Sequence, residues 1–186
     1  MSRGEDVERS DWGQRLINLV LPLKKEDLKD LRAGDFVLLS GEMLTGRDAA
    51  HKRIVEGLEN GKLPFDIKGE TIFYVGPCFK GGRLTACGPT TAMRMDDYAP
   101  ALYQNGIVAT IGKGDRGAKV YDAIKETGGV YFAAIGGAGA LYGEAVKSFK
   151  AVAYEDLGTE AVYSFVVENF PVIVAIDGKG NSIFAK

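Results

Sequence analysis

Three short segments of this 186-residue chain set cationic and hydroxyl side chains among glycines. They are Ser40-Gly41-Glu42-Met43-Leu44-Thr45-Gly46-Arg47-Asp48, Gly88-Pro89-Thr90-Thr91-Ala92-Met93-Arg94 and Ile111-Gly112-Lys113-Gly114-Asp115. Each falls where an apolar, strand-like run gives way to a helical pattern. The first turn of a helix offers free N–H groups and a partial positive charge. Arg47, Arg94 and Lys113 add three cationic side chains at such places. The matching chemistry is capture of an anion carrying more than one carboxylate or phosphate. The same residues would also serve as ordinary caps and surface ion pairs, and composition alone does not choose between the two.

The elements that must position these groups follow from periodicity. Arg15 to Leu23 and Asp35 to Gly41 read as apolar strands, with a short charged helix from Lys24 to Leu31 between them. Ala50, Ile54 and Leu58 recur every four residues, which predicts a helix over Arg47–Asn60 stopped by Gly61. Thr71 to Val75 and Gly82 to Ala86 read as strands. Thr91 to Gln104 reads as a helix that Pro100 kinks or interrupts. Strand and helix then alternate: Ile107–Ile111, Arg116–Glu126, Val130–Ile135, Ala138–Lys147 and Ala151–Glu155. Such alternation implies parallel strands with helical crossovers, and ligands of such sheets collect beyond the strands' carboxyl ends. Ala161–Val167, Val172–Asp177 and Ser182–Phe184 have only short connections, and Asp177 to Asn181 has hairpin composition. The expectation is an α/β fold with mixed parallel and antiparallel strands. Residues 1–14 read as a polar tail and residues 15–186 as one domain.

Composition removes several function classes. Lys+Arg 23 against Asp+Glu 25 leaves no net basic field for nucleic acid or an anionic membrane. The start of the chain is polar and mixed in charge, unlike a signal peptide, and no apolar run approaches the roughly 18 residues of a membrane span. A cytoplasmic protein is expected. The two cysteines, Cys78 and Cys87, cannot supply a four-thiolate zinc site or the three thiolates of an open iron–sulfur cluster. No metal site is expected in the chain itself, and both cysteines read as small buried apolar residues.

Thr-Gly-Arg-Asp-Ala-Ala-His-Lys (Thr45 to Lys52), Gly-Pro-Thr-Thr-Ala-Met-Arg-Met (Gly88 to Met95) and Gly-Lys-Gly (Gly112 to Gly114) occur in the order seen in one enzyme family. The chain resembles, from about Leu16 to Phe184, the β subunit of class I fumarate hydratases and of the iron–sulfur tartrate dehydratases. That resemblance implies a swivelling three-layer β/β/α domain. It also implies a partner: an α subunit holding a 4Fe-4S cluster through three cysteines, with the active site at the junction and the assembly a higher hetero-oligomer. The substrate implied is a four-carbon dicarboxylate, fumarate first and L-tartrate second. An uncapped iron of the partner's cluster would act there as a Lewis acid.

Carried onto this sequence, the resemblance makes Arg47 the ligand of one substrate carboxylate and Arg94 and Lys113 the ligands of the rest of the dianion. A guanidinium suits this because its planar fork accepts a carboxylate bidentately. Thr90 matches the family's proposed base, which removes a proton beside a carboxylate. A hydroxyl is a poor base, so the role asks for a helix N-terminus and a nearby cation to favour the alkoxide; Thr91 is the alternative, as capping hydroxyl. His51, the sole histidine, lies one turn after Arg47 and is either a general base or a structural hydrogen bonder. Met93 stands where the family pattern commonly has Gly, a departure that bears on substrate choice.

Two rivals stand beside this reading. Val130–Ile135 followed by Gly136-Gly137-Ala138-Gly139, with Asp156 about 20 residues on, suggests a dinucleotide fold, yet the third small residue of that fingerprint is missing. The other rival is a scaffold without catalytic groups.

Overall fold

Alternation with period two explains how the sheet separates its two cores. In the computed structural model, which describes residues 8–9 and 15–185, Phe73, Val75, Ala109, Ile111, Val130 and Phe132 are buried in one cluster, and Ile72, Tyr74 and Tyr131 in another. Successive side chains of a strand point to opposite faces, so each strand serves both. The short parallel strands β4 (Thr71–Phe73), β7 (Ala109–Gly112) and β8 (Val130–Ala133) carry all of these but Tyr74 and Val75, which directly follow β4. Apolar residues on both faces are what a parallel strand covered on each side requires.

The second cluster lies under three helices: α2 (Asp48–Glu59), α3 (Ala99–Gln104) and α4 (Ala118–Thr127), after the short α1 (Lys25–Lys29). Ala50, His51 and Ile54 form the buried stripe of α2, and Val120, Ala123 and Ile124 that of α4. Each large apolar side chain so covered contributes roughly 1.5–3 kcal/mol.

Two long strands complete the sheet. β3 (Phe36–Thr45) runs parallel to β2 (Arg15–Val20) along its first half and to β4 at its end, both on one edge, while β2 pairs antiparallel with β1 (Glu8–Arg9). β10 (Val162–Ile176) is antiparallel to three strands. It pairs with β9 (Val146–Ala153), with β3 from Ser164 to Ile173, and with β8 from Ile173 to Ile176. The pairings β3–β4–β7–β8–β10–β3 therefore form a closed circuit. A bulge between Val167 and Phe170, with Asn169 at φ 52°, bends β10. α5 (Gly139–Ala145) packs on the first core through Tyr142, which stacks on Phe170 at 4.5 Å and donates its hydroxyl to the Pro171 carbonyl at 2.8 Å.

The mixed parallel and antiparallel α/β architecture is as expected, with local differences. Glu42 to Thr45 belong to β3 rather than to a loop, because Met43 and Leu44 are buried; the turn proper is Gly46-Arg47. The two expected strands after Ala161 are one, continuous through the bulge. Ser182–Phe184 makes only a single bridge, Ile176 to Ser182. The expected helix over Thr91–Gln104 is split into a four-residue 3-10 turn (Ala92–Met95) and α3, and Pro100 sits in the first turn of α3, where its missing N–H costs nothing. An unforeseen hairpin joins β5 (Cys78–Lys80) to β6 (Arg83–Ala86) through Gly81 and Gly82, both at positive φ. Cys78 is exposed on it, contrary to expectation, whereas Cys87 is buried. The polar tail at residues 1–14 lies outside the described residues except for Glu8 and Arg9. Among the described residues no helix is long and apolar enough to cross a membrane.

Candidate active site

The carboxyl ends of β3, β4, β7 and β8 lie along one edge of the sheet, and a ladder of backbone bonds continues beyond them. The Gly46 N–H donates to the Phe73 carbonyl (3.0 Å), Tyr74 to Ile111 (2.8 Å) and Ala134 to Gly112 (2.7 Å). The segment after β6 folds back across this edge. Its Thr90 N–H donates to the Tyr74 carbonyl (2.8 Å), the Thr90 carbonyl accepts from the Lys113 N–H (3.1 Å), and the Ala92 N–H donates to the Lys113 carbonyl (2.8 Å). These bonds form a parallel bridge between Thr91 and Lys113 and place Thr90, 23 positions before Lys113, in the same ladder. Gly112 permits this approach: a Cβ there would lie 2.8 Å from the Tyr74 ring and 2.9 Å from the Ala92 methyl.

Arg47 occupies the N-cap of α2 in extended conformation. Its Nε donates to Glu160 Oε1 at 3.1 Å, and its guanidinium lies so close to Gly76 that a Cβ there would come within 2.8 Å of Nη1. Arg94, on the 3-10 turn, is held bidentately by Asp48, the first residue of α2: Nε to Oδ1 at 3.1 Å and Nη2 to Oδ2 at 2.8 Å. Arg94 thus faces α2 rather than standing one α-helical turn from Thr90. Thr91 occupies the N-cap of the 3-10 turn but makes no capping bond with its side chain. Thr90 is half-buried, and Lys113 is exposed with its stem passing over Gly136. The exposed Met93 lies beside Arg94 on the same turn.

His51 is fully buried beneath this edge. Its Nδ1 bonds the Arg47 carbonyl at 2.9 Å, so that nitrogen carries the proton, while Nε2 has no partner. Its ring meets Tyr74 edge-on at 5.1 Å. Burial lowers its pKa to about 4, with the nearby Arg116 charge acting in the same direction and the bond to Arg47 and the Asp48 charge opposing. The imidazole is neutral at pH 7 and has no exposed face.

Sequence reasoning missed four partners of this site. Asp48 and Glu160 hold the two arginines. Arg116, expected as the first residue of a helix, instead precedes α4, is buried and is paired to Asp96 at 2.7 Å. Burial acts against its charge, but the Tyr74 and Tyr103 phenols and Asp96 more than offset this and its pKa is raised. Asp48 was detectable as an acid in the first turn of a helix; the other partners are distant in sequence and leave no periodic trace.

The described residues do not fit a metal cluster. No group of three His, Cys, Asp or Glu is placed to hold a metal among the described residues. Cys78 is exposed on the hairpin, and burial pushes the Cys87 thiol up to about 12, so it remains protonated. The dinucleotide reading is not favoured either. Gly139 is small because it packs on Gly88, whose N would lie 3.2 Å from a Cβ, and Asp156 is engaged bidentately by Arg53 at 2.8 and 2.6 Å.

Fold and site together define an α/β domain that gathers two arginines, a lysine and a threonine at the carboxyl edge of a mixed sheet. Residues 3–186 match the family described as fumarase C-terminus, and the chain belongs to that family. It is 36% identical to the aerobic class I fumarate hydratase of Escherichia coli K12 over 97% of this chain and 34% of that protein. It is 40% identical to a putative L(+)-tartrate dehydratase subunit beta of Methanocaldococcus jannaschii over 87% of this chain and 88% of that one. A putative class I fumarate hydratase of Geobacillus stearothermophilus is 35% identical over 96% of this chain and 35% of its own length. The chain therefore spans about a third of the fumarate hydratases it matches and nearly all of the tartrate dehydratase subunit.

Proposed function

We propose that this chain is the β subunit of an iron–sulfur-dependent hydro-lyase that interconverts fumarate and malate. On this reading it forms a swivelling domain in a higher hetero-oligomer, and its active site is completed by an α subunit that carries a 4Fe-4S cluster. What supports the subunit reading is the 40% identity to a putative tartrate dehydratase subunit beta over 88% of that subunit. The cluster would supply a Lewis acid for the leaving hydroxyl; the roles below are those of this chain alone.

Arg47 holds one carboxylate of the dianion, and Arg94 and Lys113 hold the remainder. Asp48 and Glu160 orient the two guanidinium groups and leave further N–H donors of each for substrate. In the dehydration direction the C–H bond beside a carboxylate breaks, its electron pair forms the double bond, and hydroxide leaves the neighbouring carbon; together with the proton removed it makes up the water released. We assign the departing proton to Thr90, whose alkoxide the Lys113 charge favours. Thr91 serves as its neighbour, and His51 supports Arg47 through the carbonyl bond. The observation that carries this reading is the backbone ladder in which Tyr74 accepts from Thr90 and Thr90 from Lys113, with Lys113 opposite Thr91, so that both threonines and the lysine meet at one edge of the sheet.

The test is anaerobic co-purification with a cluster-bearing partner and parallel assays on fumarate, malate and L-tartrate. The pair is expected to be active and this chain alone inactive. Thr90→Ala should lower kcat by about 100-fold or more, and Arg94→Ala should raise KM. Near-wild-type rates in both variants would leave only a scaffold role. The length match and 40% identity to the tartrate dehydratase subunit favour a second reading, the β subunit of an L(+)-tartrate dehydratase. A preference for tartrate in these assays selects it.

A further inference from the structure

Arg116 is the only lysine or arginine buried among the described residues, and no step above uses it. A charge held this deep loses its hydration, and a fitted apolar side chain would fill the same space at less cost. The reason for keeping it lies in what the guanidinium joins. Its Nε donates to Asp96 Oδ1 at 2.7 Å, and the other oxygen of Asp96 accepts the Gly117 N–H. Asp96 directly follows the 3-10 turn that bears Arg94, so this pair ties that turn to the residues just beyond Lys113. Its Nη2 donates to the Tyr74 hydroxyl at 3.2 Å, and the carbonyl of Tyr74 receives the Thr90 N–H. Its Nη1 donates to Thr110 at 3.2 Å. The Tyr131 ring faces the guanidinium carbon at 4.8 Å, and the Tyr131 hydroxyl donates to the Gly114 carbonyl at 2.8 Å. One side chain thus reaches both strands of the active edge from below.

We propose that Arg116 is a positioning residue that holds the Thr90–Arg94 segment and the Lys113 turn at one fixed separation, so that proton transfer depends on a group with no access to the substrate. The proposal rests on the reading of Thr90 and Lys113 as site residues. It gives Arg116 a signature different from that of the carboxylate clamp: misplacing Thr90 against Lys113 slows the chemical step while Arg47 and Arg94 still capture the dianion.

The test uses the assembled enzyme and the full chain with Arg116→Lys and Tyr131→Phe. Lysine keeps the charge but not the planar fork that spans Asp96, Tyr74 and Thr110. In the assembled enzyme Arg116→Lys should lower kcat by about 10- to 100-fold with KM within about threefold, since small misplacement of reacting groups costs on this order. The primary isotope effect with malate deuterated at the carbon that loses the proton should rise. Tyr131→Phe removes one hydroxyl and should give a smaller loss with the same pattern. In the full chain, hydrogen exchange at the Thr90, Ala92 and Lys113 amides should quicken together in Arg116→Lys while β4 and β8 stay protected. Unchanged kcat and isotope effect in a folded Arg116→Lys enzyme overturn the proposal, as does faster exchange in only one of the two segments. If Arg116→Lys does not fold, Tyr131→Phe decides: wild-type kinetics and exchange at Lys113 and Gly114 reject it. A wild-type pair inactive on all three substrates would instead defeat the hydro-lyase reading, and the exchange experiment would still decide the coupling.

Discussion

The same chemical pair, arginine with aspartate, occurs twice at this edge of the sheet in opposite settings. Arg94–Asp48 lies at the rim, with side chains 53% and 34% exposed; Arg116–Asp96 lies beneath it, at 0% and 16%. At the rim water screens the pair, so little energy holds it and a competing carboxylate can share the guanidinium. Below, the charge has nowhere else to go, and the pair is rigid because breaking it strands an ion. Binding groups and the frame that aims them are thus made from identical parts that differ in exposure.

That contrast can be broken by measurement. Asp96→Ala leaves Arg116 buried without its carboxylate and should cost about 3 kcal/mol in urea unfolding, whereas Asp48→Ala should cost at most about 1 kcal/mol. Equal losses would abolish the distinction. A second measurement probes the same buried layer through His51, whose folded-state pKa of about 4 lies below its ordinary 6.5. Between these values the unfolded chain binds the extra proton, so the contribution is present above pH 6.5 and is lost as pH falls towards 4. Stability should drop by about 2–3 kcal/mol from pH 7 to 4.5 on this account, and His51→Gln should flatten that slope. The smallest effect belongs to the rim. A double-mutant cycle on Asp48 and Arg94 should give about 0.2–1 kcal/mol, shrinking further in 1 M salt, while the Asp96–Arg116 coupling persists.

What could be read from the sequence follows the same division between local and distant. The strands β4, β7 and β8 were legible because Ile72, Phe73, Ile111, Tyr131 and Phe132 lie in short apolar runs bounded by glycine. The segments carrying Arg47, Thr90 and Lys113 were legible as glycine-bounded turns between a strand and a helix. Asp96 and Arg116 were not, since a charged residue reads as exposed until the tyrosines that cover it are known to be near. Nor was the continuity of β10, whose two halves read as separate strands because Glu168-Asn169 reads as a break unless β3 is there to pair on both sides of the bulge. The 3-10 turn was mistaken for a helix because Ala92, Met95, Ala99 and Leu102 satisfy helical spacing across the interruption.

The strand Val162–Ile176 also sets how the molecule must be made. Until it docks, β3, β8 and β9 each lack a hydrogen-bonded neighbour, and the pairings it brings, such as Phe36 with Ile173, join residues far apart along the chain. Closing such long loops exacts its entropy before any contact rewards it, and sheets assembled this way fold slowly. The sheet's circuit therefore cannot close before these distant pairings form, and until it does the edges of β3, β8 and β9 stand open to other chains.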